Sequence, residues 1–230
     1  RTVREQAGEI TDHVSRSIFP AFSVNRDEGY GIHENAFWDL QTYRGLRENL
    51  AVNEGARSFI HESTRDRTPM GHAHRDHLRD LSIEQIREMY RQAVGRLLEE
   101  VAATEAFYRA GIVAIDITED DPFTGDRTGR EDEIIGTKEK NEEYAYQWAT
   151  VQLVGNAVPM VLDARPVRKG ETRLEIVEYL LDSAEDLVHV DNVLMDREFD
   201  SQHVLEMISQ RGLSYVVPKR MQTSERAQAK

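Results

Sequence analysis

The first 108 residues carry apolar positions at spacings of three or four, which is the repeat of amphipathic helices. One such pattern runs from Val3 to Ile18, a second from Glu34 to Leu50, and a third from Ser82 to Phe107. Ser82 and Gln85 have the spacing of a capping box, which marks the start of the third helix. We therefore predict an all-α region at the N-terminus.

A polar segment from Ser63 to Asp80 lies between the last two of these helices and is predicted to be a loop or linker. It contains three closely spaced histidines, His72, His74 and His77, which suggest a zinc cluster. A structural zinc site uses four ligands, and the segment offers neither a cysteine nor a clear fourth ligand. A polar linker is therefore the favoured interpretation.

Beyond Gly111 the pattern changes to short, mostly apolar runs that are typical of buried strands. Two helical patterns interrupt them. Trp38 and Trp148 occupy apolar positions of a helix and a strand, and both are predicted to lie in the core. The predicted strands are 112–117, 144–154, 158–164, 187–195 and 214–218, and the predicted helices are 172–184 and 201–211.

The resulting order, β-β-β-α-β-α-β, predicts an α/β fold with a mixed sheet and helices on its faces. A meander of three strands followed by right-handed crossovers matches the RNase H-like fold. We accordingly predict two domains, an all-α region at 1–108 and an RNase H-like core at 109–230.

Two aspartates lie within or directly after apolar strands of this core, Asp116 and Asp196. An ionised carboxylate in such surroundings is costly unless it is paired or binds a metal. The first strand and the strand after the first crossover are often neighbours in a mixed sheet, so the two acids are expected to meet. Together they would hold Mg²⁺ or Mn²⁺ through hard oxygen ligands, as in the two-metal sites of phosphoryl transfer. The alternative is that each acid is a cap or turn residue.

The net charge of −13 argues against indiscriminate nucleic-acid binding, which normally depends on basic side chains. Only five of the 29 Lys and Arg residues are lysine. Abundant acids with scarce lysine are typical of proteins adapted to high salt, where acidic surfaces maintain solubility. We therefore expect a halophilic origin, with an ordinary acidic protein as the alternative.

Composition also excludes several classes of protein. The absence of cysteine rules out disulfides and thiolate metal sites. No apolar run approaches the roughly 18 residues that a membrane span requires, and no signal-peptide pattern begins the chain. We expect a cytoplasmic protein without a membrane partner.

Two segments carry a family resemblance. Residues 114–118 (AIDIT) and 193–201 (VLMDREFDS) resemble the first and second acidic motifs of the DDE transposases of bacterial and archaeal insertion sequences. The strand at 214–220 (SYVVPKR) is similar to a basic strand of the same family. The resemblance covers roughly 82–230, and its second motif is the most specific part.

The resemblance implies DNA transposition, in which strand cleavage is followed by strand transfer, and it assigns metal ligation and catalysis to Asp116 and Asp196. It implies DNA partners, namely the transposon ends and the target, with a homodimer in the end complex. The N-terminal helices would contribute to end binding, although the sequence itself supports only an arginine-bearing helical region. Arg197 either contacts the scissile phosphate or pairs with a carboxylate.

The chain departs from the family at the third acid. In the family a Glu lies on a later helix within spaced Tyr, Arg, Glu and Lys residues, and nothing in this chain matches that motif. Glu225 follows Pro218 by only seven residues, which leaves little room for the expected insertion. We therefore expect a chain truncated before its third acid and not fully active alone. The alternatives are another RNase H-like nuclease or a non-catalytic DNA-binding remnant.

Overall fold

A computed structural model describes residues 12–24, 31–47, 51–63, 66–102, 111–136, 143–155 and 159–219. The chain divides into two compact units, residues 1–97 and 98–230. The boundary predicted between residues 108 and 109 lies outside the described residues. None of the helices within the described ranges combines the length and the apolar composition needed to cross a lipid bilayer.

The first unit is built from helices, as the periodicity predicts. Residues 12–17 are helical, and most of the predicted helix that contains them lies outside the described residues. The Ser82 amide donates to Gln85 Oε1 and the Gln85 amide donates to Ser82 Oγ, so the predicted capping box is confirmed. The remaining helices are a 3₁₀ turn at Phe19–Ala21, α1 at Glu34–Leu46, α2 at Val52–Glu62, α3 at Gly71–Arg79 and α4 at Ile83–Ala102.

Aromatic side chains of α1 form the core of this unit. Phe37 and Trp38 pack with Phe19 and Val24 from the segment before the helix. Trp38 is only 8% exposed, which confirms its predicted core position. A second cluster, Leu40 with Ala56 and Phe59, joins α1 to α2.

The prediction of a polar linker before α4 is wrong. Residues 71–79 of that segment form α3, and His74 is completely buried against α1. The His74 ring stacks on Phe37 with 4.2 Å between ring centroids, and its Nε2 lies 2.8 Å from Gln41 Oε1. A histidine used as an aromatic core residue hides the amphipathic character of this short helix from a hydropathy pattern.

The second unit contains a six-stranded sheet with two helices. Every predicted strand and helix is present with small differences at the ends, and β2 is an addition that the pattern did not reveal. The elements are β1 at Gly111–Glu119, β2 at Ile134–Gly136, β3 at Tyr144–Val154, β4 at Met160–Pro166, α5 at Arg173–Glu185, β5 at Val190–Met195, a 3₁₀ turn at Arg197–Phe199, α6 at Gln202–Gln210 and β6 at Ser214–Val216.

The strand order identifies the fold as RNase H-like. β3 lies between β1 and β4 and is antiparallel to both, and the short β2 pairs with the beginning of β3. On its other side β1 is parallel to β5, which is parallel to β6. An antiparallel meander followed by two crossover strands is the predicted topology, so the fold prediction is confirmed.

One face of this sheet is apolar and buried. Alternate residues of each strand point to one face, and helix α5 packs on β3 and β4 while α6 packs on α5. Thr172 begins α5 with a complete capping box to Glu175. The buried side chains of this face include Val113, Ile115, Ile117, Ala149, Val151, Leu162, Val193 and Met195.

Trp148 is not a core residue, contrary to the prediction. Its neighbours Gln147 and Ala149 are 5% and 0% exposed, whereas the Trp148 side chain lies on the other face and is 37% exposed. The residues of β3 are apolar or aromatic at both parities, so the sequence pattern did not determine which parity faces the helices. We call the face of the sheet that carries Trp148 the open face.

Candidate functional site

The two predicted acids lie on neighbouring parallel strands. β1 and β5 are paired in a register that places Ile115 opposite Met195. Asp116 and Asp196 are the next residues along these strands, and Asp196 keeps an extended backbone with φ −78° and ψ 177°. Since adjacent strands lie about 5 Å apart, two acids whose sequence numbers differ by 80 lie at neighbouring points of the sheet.

Both carboxylates belong to the open face. Ile115 and Met195 are 2% and 6% exposed on the buried face, so the residue that follows each of them points to the other side of the sheet. Asp116 and Asp196 are both exposed to solvent. The pair is therefore accessible to a ligand, and neither acid is a buried charge.

Hydroxyl groups surround Asp116. Thr118 lies two residues further along β1, and its Oγ1 donates to Asp116 Oδ2 at 3.3 Å. Thr150 is the cross-strand partner of Asp116 on β3 and therefore shares the open face. The Asp-x-Thr spacing thus has a structural basis, because residues two apart in a strand lie on one face.

The turn after β5 positions Asp196. Asp196 is the N-cap of the 3₁₀ turn, and its Oδ1 accepts a hydrogen bond from the Glu198 amide at 2.6 Å. Phe199 anchors the turn in the core with no exposed surface. Arg173, at the start of α5, donates through Nε and Nη2 to Glu198 Oε2 at 3.0 and 2.7 Å. Asp196 therefore has the predicted cap role, which it fills through Oδ1.

The opposite ends of β1 and β5 help to set the register. The Gly111 amide donates to Asp191 Oδ2 at 3.1 Å, so Asp191 ties the start of β5 to the start of β1. A Cβ at Gly111 would overlap the carbonyl oxygen of His189, so only glycine allows this close approach. The pairing that brings Asp116 beside Asp196 is thus fixed at its other end.

The donor set is compatible with a hard divalent cation. Mg²⁺ is commonly held by one or two carboxylates, with waters and substrate phosphates completing the octahedron. Asp116 and Asp196 supply two exposed carboxylates side by side. Within the part of the chain that the structure describes, no cluster of three or more His, Asp or Glu side chains is arranged to hold a metal.

Arg197 follows Asp196 directly and is exposed in the first position of the 3₁₀ turn. Its placement beside the carboxylate pair agrees with either of its predicted roles, phosphate contact or pairing with an acid. Asp200 ends the 3₁₀ turn, and Ser201 is the residue that caps α6, with its Oγ accepting from the Val204 amide.

No protein-family model matches the chain, and no curated protein matches it significantly. Among solved structures, the chain is similar to the piggyBac transposase in a synaptic complex with hairpin DNA, with 14% identity and a TM-score of 0.44. That match covers 95% of this chain and 49% of the piggyBac chain, so the chain spans about half the length of that protein.

A second similarity is to the Mos1 transposase in a paired-end complex with its left transposon end. The identity is 11% and the TM-score is 0.30, with 83% of this chain and 61% of the Mos1 chain covered. Both TM-scores are below 0.5, so the fold assignment rests on the strand order and directions given above.

The three histidines of α3 do not converge. His74 is buried, His72 is exposed, and His77 packs edge-on against Phe37 with 6.1 Å between ring centroids. His74 and His77, three residues apart, share a helix face and both contact Phe37, whereas His72 is exposed on another side of the helix. These histidines are therefore packing and surface residues of the first unit.

The sequence did not reveal which residues of β3 share the open face with Asp116. Thr150, Trp148, Tyr146 and Tyr144 alternate along β3 with buried residues and share the face of Asp116. The period-two pattern of β3 was visible in the sequence, but its parity relative to Asp116 depends on the β1–β3 register. That register became known only from the structure.

Proposed function

We propose that this chain is the catalytic-core part of a DNA transposase, with Asp116 and Asp196 as ligands for Mg²⁺ or Mn²⁺. The reaction is phosphoryl transfer on DNA, in which strand cleavage is followed by strand transfer. The observation that carries the proposal is the matched register of two exposed carboxylates on neighbouring parallel strands of an RNase H-like sheet. The likeness of residues 114–118 and 193–201 to two transposase motifs supports the same reaction.

The residues of the chain have distinct roles in this proposal. Asp116 and Asp196 offer carboxylate oxygens on one face, Thr118 orients the first carboxylate, and the Glu198 amide orients the second. A divalent cation bound there supplies Lewis-acid stabilisation of the charge that develops on a transferring phosphoryl group. Arg197 is placed to contact a DNA phosphate next to the pair.

A non-catalytic DNA-binding protein is the second candidate. It is favoured by one observation, namely that no group of three or more acidic or histidine side chains that could hold a metal ion is found among the residues that the structure describes. Such a protein would retain the fold while binding cations weakly or not at all at the acid pair. The two candidates therefore differ in metal binding, which is measurable without any turnover.

Calorimetric titration of the chain with Mn²⁺ separates the candidates. The proposal predicts binding that is lost in Asp116→Asn and in Asp196→Asn. The matched control is Asp191→Asn. Asp191 lies near the start of β5, at the end of the strand opposite to Asp196, and the amide oxygen of Asn can still accept a hydrogen bond from the Gly111 amide. Equal Mn²⁺ binding by all four proteins, or none in the wild type, would refute the proposed metal site.

A nuclease assay distinguishes the transposase from other RNase H-like enzymes. With Mn²⁺ present, the proposal predicts nicking of duplex DNA and no cleavage of an RNA–DNA hybrid of the same sequence. Cleavage confined to the hybrid would replace the transposase assignment with that of a hybrid nuclease.

A further inference from the structure

Three aromatic side chains form a row on the open face of β3. Trp148, Tyr146 and Tyr144 occupy alternate positions of the strand, and Trp148 is paired with Thr118, two residues from Asp116. The row therefore begins next to the carboxylate pair and extends away from it along the sheet. We call these three side chains the aromatic row.

Two arginines accompany the aromatic row. The Arg127 guanidinium lies over the Tyr144 ring, with 3.3 Å from Cζ to the ring centroid. Arg130 Nη1 donates to the Tyr146 hydroxyl at 3.4 Å. Neither arginine forms an ion pair with any residue that the structure describes. Their positive charge is consequently available to an anionic ligand.

Two acids of the same region form hydrogen bonds with neighbouring groups. Asp120 Oδ2 accepts a hydrogen bond from the Trp148 indole nitrogen at 3.0 Å, which fixes the indole on the open face. Asp126 Oδ1 accepts from the amide and the hydroxyl of Thr128 at 2.9 and 2.7 Å. These contacts orient the aromatic row and its loop, while the two arginines remain free of carboxylate partners among the described residues.

The spacing of the row favours an unstacked strand. Alternate residues of an antiparallel strand lie about 6.8 Å apart, which is twice the roughly 3.4 Å rise per base in one strand of a duplex. Bases stacked in a helix cannot meet successive side chains at that spacing, whereas splayed bases can. Trp148 is exposed, and Tyr146 and Tyr144 are half-buried. Aromatic rings beside arginines in a groove are a means by which proteins bind single strands without sequence preference.

We propose that the aromatic row, with Arg127 and Arg130, binds a single-stranded segment of DNA and leads it to the acid pair. Trp148 stacks on a base nearest Asp116, and the two arginines contact phosphates. This inference rests on the proposed function for its choice of DNA, because it assigns the row as the path of the strand that the carboxylates act on.

Binding is measured by the fluorescence anisotropy of a labelled oligothymidylate with the full chain in EDTA. Loss of one stacked base weakens such binding roughly 5- to 150-fold, and we expect that loss for Trp148→Ala. Trp148→Phe keeps a stacking ring and is expected to bind within a few-fold of the wild type. The matched control is Tyr179→Ala, since Tyr179 is 40% exposed on helix α5 and also lies under an arginine, Arg165, at 4.7 Å.

Salt dependence tests the arginines separately. Each phosphate contact contributes about 0.7 to the slope of log affinity against log salt for a single strand. Arg127→Gln and Arg130→Gln are each expected to reduce that slope by about 0.7, whereas Trp148→Ala leaves it unchanged. Unaltered slopes in both arginine variants would remove them from the proposed path.

Intrinsic fluorescence provides a test that needs no destabilising variant. Trp148 and Trp38 are the only tryptophans in the sequence, and Trp38 is buried in the other unit. The oligothymidylate is expected to quench wild-type emission and to leave Trp148→Phe unquenched. The inference is overturned if Trp148→Ala binds like the wild type, if Tyr179→Ala loses as much affinity, or if duplex DNA or oligouridylate binds more tightly.

The two proposals fail separately. Oligothymidylate binding is measured in EDTA, so no metal takes part in it, whereas Mn²⁺ binding is measured without an oligonucleotide. If the chain does not bind Mn²⁺ but binds the oligonucleotide in a way that depends on Trp148, only the metal site is refuted. Intact Mn²⁺ binding with oligonucleotide binding insensitive to Trp148 would refute the DNA path alone.

Discussion

The histidines of α3 and the aspartates of the sheet are two sets of potential metal ligands with opposite outcomes. His72, His74 and His77 lie within six residues of sequence, yet His72 is exposed and His74 is buried in the core, so the three do not form one site. Asp116 and Asp196 are separated by 80 residues, yet the β1–β5 register places them side by side. Strand register, and not proximity in sequence, determines which ligands converge.

The two sets also differ in burial and in the charge state that their surroundings favour. His74 is enclosed by Phe37 and Gln41 and is required to be neutral, so it serves packing. The two aspartates lie on an exposed face, held by a hydroxyl and an amide, so their charge remains available to a ligand. Three features of the structure underlie this difference: the two faces of the sheet, the neutrality of His74 and the turn that carries Asp196.

The largest expected effect is on the free energy of unfolding, and it differs between the two faces of the sheet. Leu162 is 2% exposed and Val161, the preceding residue of β4, is 46% exposed. Leu162→Ala is expected to lower the free energy of unfolding by about 2–5 kcal/mol, because it leaves a cavity in the buried face. Val161→Ala is expected to change it by about 0.5 kcal/mol or less. Urea denaturation measures both, and equal losses would contradict the assignment of faces.

The next effect concerns the charge state of His74. Burial, followed by the nearby positive charges of Arg44 and His77, lowers the pKa of His74 to about 4. The folded pKa lies below the unfolded value of about 6.5, so stability is fully present above pH 6.5 and is lost as pH falls towards 4. The loss is on the order of 3 kcal/mol.

Urea denaturation of the wild type and of His74→Gln at several pH values isolates this contribution from the other histidines. The wild type is expected to lose stability between pH 6.5 and 4 relative to the variant, whose residue 74 does not titrate. Parallel pH profiles for the two proteins would mean that His74 is not held neutral.

A smaller effect tests the turn that positions Asp196. Arg173 and Glu198 have side chains that are 30% and 10% exposed and form a charge-assisted pair. Arg173→Ala is expected to cost about 1–3 kcal/mol of stability. It should also weaken Mn²⁺ binding roughly 2- to 10-fold, because it loosens the turn whose Glu198 amide holds Asp196. The control is Arg47→Ala in the first unit. Arg47 forms an ion pair with Glu62, and both side chains are more than 40% exposed. Unchanged Mn²⁺ affinity in Arg173→Ala would contradict the role of the turn.

The smallest expected effect is that of the hydroxyl beside Asp116. Thr118→Val removes the 3.3 Å hydrogen bond to Oδ2 and is expected to weaken Mn²⁺ binding roughly 2- to 10-fold, the range of a single hydrogen bond. Thr118→Ser keeps the hydroxyl and should restore the affinity. Tighter binding in Thr118→Val would show that the hydroxyl competes with the cation for the carboxylate.

Sequence alone predicted the elements of the sheet well, because Val, Ile and Leu runs of β1, β3 and β5 are bounded by clear polar breaks. The capping box at Ser82 was equally visible, since it is a local pattern. Helix α3 was missed because its buried contact is made by a histidine, and β2 was missed because it has only three residues.

The site required information that local patterns do not contain. Both parities of β3 mix apolar and polar residues, so the exposed side of Trp148 could not be chosen from the sequence. The convergence of Asp116 and Asp196 was expected from the order of elements. Their shared face follows from the pairing of Ile115 with Met195, which depends on the close approach at Gly111 and thus on tertiary structure.

The central claim is that Asp116 and Asp196 share a divalent cation, and anomalous scattering from a Mn²⁺-soaked crystal tests it most directly. The account predicts an anomalous peak within coordination distance of both carboxylates, roughly 2.1 Å from each oxygen for an ion of the size of Mg²⁺. A Mn²⁺ peak bound elsewhere, with these two carboxylates turned away from one another and no ion between them, would contradict it.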